Sequence, residues 1–222
     1  MTTQRISGNT KNPVKTAVGT TDTEFSFSSM GSLAVAHYEP EKAIRTVMNN
    51  RFAVVVGNGA TFKAPVTAIP TTTATWMLWN GESQSSGVGK HLFIDQASCF
   101  LASGTAASGI TLLGCVTLEA QATVSAYAGT VKSALNGTGG TSTNQVLGNA
   151  LTISGTQPAW HVLAGIDNVA SATIGMSVTA EIKGGIMVPP GYGFCLAVLS
   201  GTGTSALYGV SVVWDEINLD LS

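Results

Sequence analysis

Leu207-Tyr208-Gly209-Val210-Ser211-Val212-Val213-Trp214-Asp215-Glu216-Ile217 reads as one long extended segment near the end of the chain. Side chains of a strand alternate between its two sides. Val210, Val212, Trp214 and Glu216 therefore share one face, and Ser211, Val213, Asp215 and Ile217 share the other. Both faces are partly apolar, the pattern of a central strand covered on both sides. Just upstream, Gly193 to Leu199 is a short apolar run that reads as a second clear strand.

The same grammar of strand, turn and strand extends back to residue 51. Arg51 to Val56 is apolar and β-branched and is closed by Gly57-Asn58-Gly59. Thr75 to Trp79 ends at Asn80-Gly81, a strong turn dipeptide. His91 to Asp95, Ser98 to Ala102, Ile110 to Leu118, Val146 to Ile153, Trp160 to Leu163 and Thr173 to Ile182 read as further strands, and Val124, Ala126 and Ala128 alternate with small polar residues. Roughly ten short strands joined by Gly-rich turns predict a sandwich or barrel. Repeats with a period of tens of residues are not visible, which disfavours a solenoid or propeller. The one predicted helix starts at Glu39-Pro40-Glu41-Lys42 and ends at Asn49-Asn50. Residues 1–30 are rich in Thr, Ser, Asn and Lys and read as an extended N-terminal arm, with Phe25 and Phe27 marking a short strand near its end. Another strand is predicted within 31–38, and residues 31–222 form the β-sandwich domain.

Charged residues make up 10% of the 222-residue chain, against about 25% in ordinary soluble domains. A surface this poor in charge is weakly protected against association, so burial of much of it against partner subunits is expected. The net charge is −2 and Lys and Arg do not form a stripe. Neutralising a phosphate backbone needs such a stripe, so nucleic-acid binding is not expected. An apolar run long enough to span a bilayer is lacking, and Met1-Thr2-Thr3-Gln4-Arg5 is no apolar signal core, so synthesis and folding in a cytoplasm are expected, with no membrane partner.

Motifs that carry chemistry fail residue by residue. Gly57-Asn58-Gly59 follows a strand as in a dinucleotide fingerprint, but Phe62 stands where the third Gly belongs and Pro65 and Pro70 interrupt the helix that must follow. Gly87-Val88-Gly89-Lys90-His91 lacks the leading Gly and the Ser or Thr of a phosphate loop. His37, His91 and His161 lack the spacing of a zinc helix and the His-x-His pair of a cupin. A Gly-x-Ser-x-Gly elbow is missing. Among the acids Asp95, Glu119, Asp167, Glu181, Asp215 and Glu216, the last two point to opposite faces of one strand and cannot form a glycosidase pair by themselves. Trp76 and Trp79 likewise face opposite sides, so core packing rather than a sugar platform is expected for most of Trp76, Trp79, Trp160 and Trp214. Cys99, Cys115 and Cys195 are too few and too widely spaced for a disulfide framework or zinc site, and are read as small buried apolar groups. Catalytic, cofactor-binding and metal-binding residues are accordingly not assigned, and enzymatic activity is not expected. Asn136-Gly137-Thr138 matters as a glycosylation sequon only in a secretory pathway, and residues 136–144 read as a surface loop.

The C-terminal third resembles the closing hairpin of jelly-roll virion structural proteins of tailed bacteriophages. The resemblance rests on Ile186-Met187-Val188-Pro189-Pro190-Gly191-Tyr192-Gly193-Phe194-Cys195-Leu196-Ala197-Val198-Leu199, followed by Gly209 to Ile217. A weaker similarity covers Trp76 to Glu82 and Leu101 to Ala107. It implies an all-β, jelly-roll-like antiparallel sandwich of the tumour-necrosis-factor or viral type, commonly trimeric. It further implies a capsid decoration (cement) or head-protrusion subunit of a virion, whose partners are the major capsid protein or other virion proteins. Such a subunit would bind the shell through its arm and through subunit contacts. Two other readings stand beside this one: a receptor-binding or tail-fibre tip protein that grips host glycans through residues 136–144, and a cupin-like or carbohydrate-active enzyme. The main shell protein is disfavoured because no long spine helix is predicted.

Overall fold

The computed structural model describes residues 13–15, 22–27, 33–36, 41–56, 62–82, 88–121, 132–133, 142, 145–171, 176–201 and 204–220. The segments predicted around Val124 to Ala128 and most of the loop 136–144 lie outside the described residues. The chain divides into two compact units, Met1–Ile44 and Arg45–Ser222.

In the first unit β1 (Pro13–Lys15), β2 (Asp22–Phe27) and β3 (Leu33–Ala36) form a three-stranded antiparallel sheet in that order. The strand marked by Phe25 and Phe27 and the one predicted within 31–38 are partners, with Phe25 opposite Val35. The division between the units falls within α1 (Glu41–Val47). The helix stops where Asn49-Asn50 predicts. Asn49 takes a left-handed φ of 58°, its N–H donates to the Thr46 carbonyl at 3.1 Å, and the Asn50 N–H donates to the Arg45 carbonyl at 2.9 Å. This pair of bonds satisfies two of the carbonyls that a helix end leaves open.

The second unit is an all-β sandwich of two antiparallel sheets. Its strands are β4 (Arg51–Val56), β5 (Thr73–Trp79), β6 (Val88–Val116), β7 (Lys132–Ser133), β8 (Gln145–Thr152), β9 (His161–Ser171), β10 (Ser177–Val188), β11 (Gly193–Leu199) and β12 (Thr204–Asp220). The first sheet runs β7-β4-β12-β6-β10 and the second β9-β6-β11-β5-β8. The 29-residue β6 belongs to both. Val88 to Thr105 pairs with β12, and Ala106 to Val116 pairs with β9 and β11.

Three strands were expected where β6 is one. Two features explain the difference. The link Ser103-Gly104-Thr105-Ala106-Ala107-Ser108 consists of small residues, and left-handed Gly104 (φ 76°) and Gly109 (φ 26°) let the chain turn from one sheet into the other without leaving the ladder. At the other gap the strand is bulged. Ile94 pairs with Trp214 and Gln96 with Val213, so Asp95 is one residue too many for β12. Ile94 and Ala97 consequently both reach the core, and Asp95 and Gln96 lie between them on the outer side.

The main core lies between the sheets and includes Trp76, Leu78, Leu92, Ile94, Leu112, Phe194, Leu196, Tyr208, Val210, Val212 and Trp214. Phe52 stacks on Trp214 with ring centroids 6.0 Å apart. β12 is central, flanked by β4 and β6, as its two-sided apolar pattern requires. A second cluster lies on the other face of the second sheet, because Met77 points away from the side that Trp76 takes. It comprises Ala74, Met77, Cys115, Ile153 and Cys195, with Trp79, Leu151 and Trp160 packed against it. All four tryptophans thus serve packing.

Pro189 to Tyr192 forms the rigid turn before β11, with Gly191 at φ 82° and the Tyr192 N–H on the Pro189 carbonyl at 3.1 Å. Asn80 does more than open a turn. Fully buried, it donates through Nδ2 to the carbonyls of Lys90 (2.8 Å) and Val188 (3.0 Å), and its backbone exchanges hydrogen bonds with Gly191 and Tyr192. One side chain therefore joins the ends of β5, β6 and β10.

Gly209 shows how closely the strands approach. A Cβ built there would stand 2.4 Å from Phe100 Cζ and 2.7 Å from the Val56 carbonyl oxygen. The ring can yield, but the β4 backbone cannot without losing its ladder. Gly209→Ala is predicted to lower the unfolding free energy by at least about 1–3 kcal/mol in urea titrations. Parental stability in that variant would contradict the close approach.

Candidate functional site

The polar chemistry of the sandwich concentrates at one end of the first sheet. Arg51 opens β4 opposite Asp215 of β12. Its guanidinium donates to both Asp215 oxygens, at 3.2 and 3.3 Å, and to the Asp95 carboxylate that the bulge turns outward. Arg45 of α1 adds a 2.9 Å bond to Asp215. Arg51, Asp95 and Asp215 are all buried. Two guanidinium and two carboxylate groups thus form a balanced network, the arrangement that lets charges leave water without a large net penalty.

Glu216 faces the other way, as strand alternation predicts. Its buried carboxylate accepts from Trp214 Nε1 at 3.3 Å, from Lys90 Nζ at 3.4 Å and from the Ser142 hydroxyl. Ser142 belongs to the stretch 136–144 that the sequence marks as a surface loop, and Glu216 holds this residue of it. Asp215 and Glu216 are set apart by the strand between them and hold strands and a loop rather than a common substrate position.

A third polar group sits beside the second sheet. Gln121 grips the backbone of Ser154 from both sides, accepting from its N–H at 2.9 Å and donating to its carbonyl at 3.2 Å. Glu119 accepts from the Thr156 N–H at 2.9 Å and the Thr156 hydroxyl at 3.0 Å. Those bonds hold the Glu119 carboxyl below the ordinary carboxylate value. Between them Gly155, at φ 83°, leaves room for the carboxylate, since a Cβ there would lie 2.2 Å from Glu119 Oε2. The two side chains clasp the segment 153–160 onto the second apolar cluster.

The remaining residues singled out in the sequence do not converge. His91 is buried on β6 within the first sheet, with Nδ1 at 3.0 Å from the Gly89 carbonyl, whereas His161 is exposed on β9 of the second sheet. His37 and the Gly57-Asn58-Gly59 turn lie outside the described residues. Among the described residues, three or more His, Cys, Asp or Glu side chains do not come together as a metal-binding group. Cys99, Cys115 and Cys195 are free and buried. Burial pushes the Cys99 thiol up to about 12, a backbone hydrogen bond from Val178 offsetting part of it.

Large apolar side chains also remain open to solvent. Val47 (76% exposed) ends the helix and Met48 follows it, and Val55 points away from the core that Val54 and Val56 enter. Met187 lies on β10, and Val162 (68%) and Ile166 on β9. Among the described residues, no helix is long and apolar enough to cross a membrane. Comparison with protein-family models, curated proteins and solved structures gives no match.

Sequence reasoning weighed Asp95 and Asp215 as possible catalytic acids and overlooked their arginine partners. The available signal was Arg51 at the head of an otherwise apolar strand. Arg51→Leu removes the guanidinium from two buried carboxylates and is predicted to lower the unfolding free energy by about 3–5 kcal/mol in denaturant titrations. A loss under about 1 kcal/mol would contradict a buried network. The Cys99 shift makes a second prediction. Its contribution to stability is fully present below the ordinary thiol value of 9.0 and is lost as pH rises toward about 12. Stability measured between about pH 8 and about pH 11 should fall, and Cys99→Ala should flatten that fall.

Proposed function

We propose that this chain is a structural subunit of a bacteriophage virion: a capsid decoration, or cement, protein that assembles as a homotrimer and stabilises the shell by contact. The observation that carries the reading is the nested pairing of the strands. β4 pairs with β12, β5 with β11, the first half of β6 with β10, and the second half of β6 with β9. This nesting of antiparallel pairs across two sheets supports a jelly-roll winding, a fold recurrent in capsid proteins. β7 and β8 extend the two sheets at their edges.

Three further features support a role in assembly. The surface is poor in charge. Large apolar side chains stand open on α1, β4, β9 and β10. The first forty-four residues form a compact unit of their own, Met1–Ile44, as a segment that engages a neighbouring shell protein would. Binding of many such subunits favours the assembled shell over its separated parts by mass action. The buried charges fit the same reading, since they tie strands together.

A chain lacking residues 1–40 retains α1 and the bond from Arg45 to Asp215. It is predicted to sediment as a folded oligomer and to lose binding to the capsid shell encoded alongside it, while the full chain co-sediments with that shell. Equal binding by the shortened chain would refute the role given to the N-terminal unit. A full-length monomer with measurable glycan binding or turnover would refute the cement reading altogether.

A further inference from the structure

Cys115 of β6 and Cys195 of β11 are register partners, directly opposite each other in the centre of the second sheet. Opposed residues of antiparallel strands have Cα atoms roughly 4.5 or 5.5 Å apart, and both separations lie inside the roughly 4.4–6.8 Å span of disulfides. The two side chains point to the same face, into one apolar cluster. Cys99 has a different position, since it sits in the main core on the half of β6 that belongs to the first sheet. The pair is therefore selected by geometry from three cysteines.

What covers the pair is equally specific. Cys115 and Cys195 share their apolar cluster with Ile153 and Trp160, which lie at the two ends of the segment 153–160. That segment is a strap, and the Gln121 and Glu119 side chains fasten it through Ser154 and Thr156. With the strap closed, both thiols are buried.

We propose that Cys115 and Cys195 form a redox-active pair that closes to a disulfide stapling β6 to β11, and that the strap 153–160 controls its rate by admitting or excluding the oxidant. The oxidant is a small disulfide such as oxidised glutathione. One cysteine thiolate displaces a glutathione thiol to give a mixed disulfide, and the second displaces the other. One S–S bond breaks in glutathione disulfide, one forms between the two Sγ atoms, and the two thiol protons leave with two glutathione molecules. A reducing cytoplasm keeps the pair open, and an oxidising exterior closes it.

The test treats the full-length folded chain with oxidised glutathione and reads intact mass and a non-reducing peptide map. The expected result is the loss of two mass units, a 115–195 linked peptide, a free thiol at Cys99 and full reversal by dithiothreitol. Gln121→Ala, which frees Ser154, should oxidise roughly five- to tenfold faster, the factor that corresponds to losing one or two strap hydrogen bonds. Glu119→Gln provides a milder second variant should the first fold poorly, and should also oxidise faster. Cys115→Ser should abolish the mass change. A stable glutathione adduct, a bond that involves Cys99, or closure only under denaturing conditions would overturn the pairing. Rates unchanged in both strap variants would overturn the gating.

Discussion

The sandwich depends on one strand belonging to two sheets. β6 contributes its first half as a neighbour of β12 and β10, and its second half as a neighbour of β11 and β9. Its halves cannot settle independently. Side chains alternate with a period of two, so a one-residue slip would turn every core residue of both sheets toward solvent. The bend at Gly104 and Gly109 and the bulge at Asp95 keep the two phases compatible. Leu92 and Ile94 face the core before the bulge, and Ala97, Cys99 and Leu101 face it afterwards.

The charged network follows from that constraint. A bulge places one residue where the ladder has no partner for it, and here the extra residue is an aspartate. Asp95 is thereby brought to Arg51, which also holds Asp215. The gain is specificity of register more than net stability, because buried ion pairs recover only part of what desolvation costs. A slipped β4 or β12 would leave a charge buried without its counterpart. Asp95 and Asp215, which suggest acid chemistry when read singly, are both ion-paired to Arg51.

The strands were legible where pattern alone decides them. Gly193–Leu199 has the bounds read from its apolar run, β12 is central as its two-sided pattern requires, and Asn49 ends the helix by its tolerance of a left-handed backbone. Long β6 was not legible, because Ser103 to Ser108 reads as a loop of small residues and only the strands on either side keep it extended. The tie between Arg51 and Asp95 was hidden for a similar reason. Forty-four positions separate the two, and a bulge that breaks the period of two brings them together. The pairing of Cys115 with Cys195 depends on register between distant strands, which spacing along the chain does not encode.

Because β6 belongs to both sheets, the sandwich is expected to open as one body. Native-state hydrogen exchange tests this most directly, since it measures the opening free energy of each amide. Amides in residues 92–101 and in residues 110–115 of β6 are predicted to exchange only through global unfolding, with the same free energy and the same denaturant dependence. Exchange of residues 110–115 through a lower-energy opening, with residues 92–101 still protected, would show two sheets that unfold separately and would contradict it.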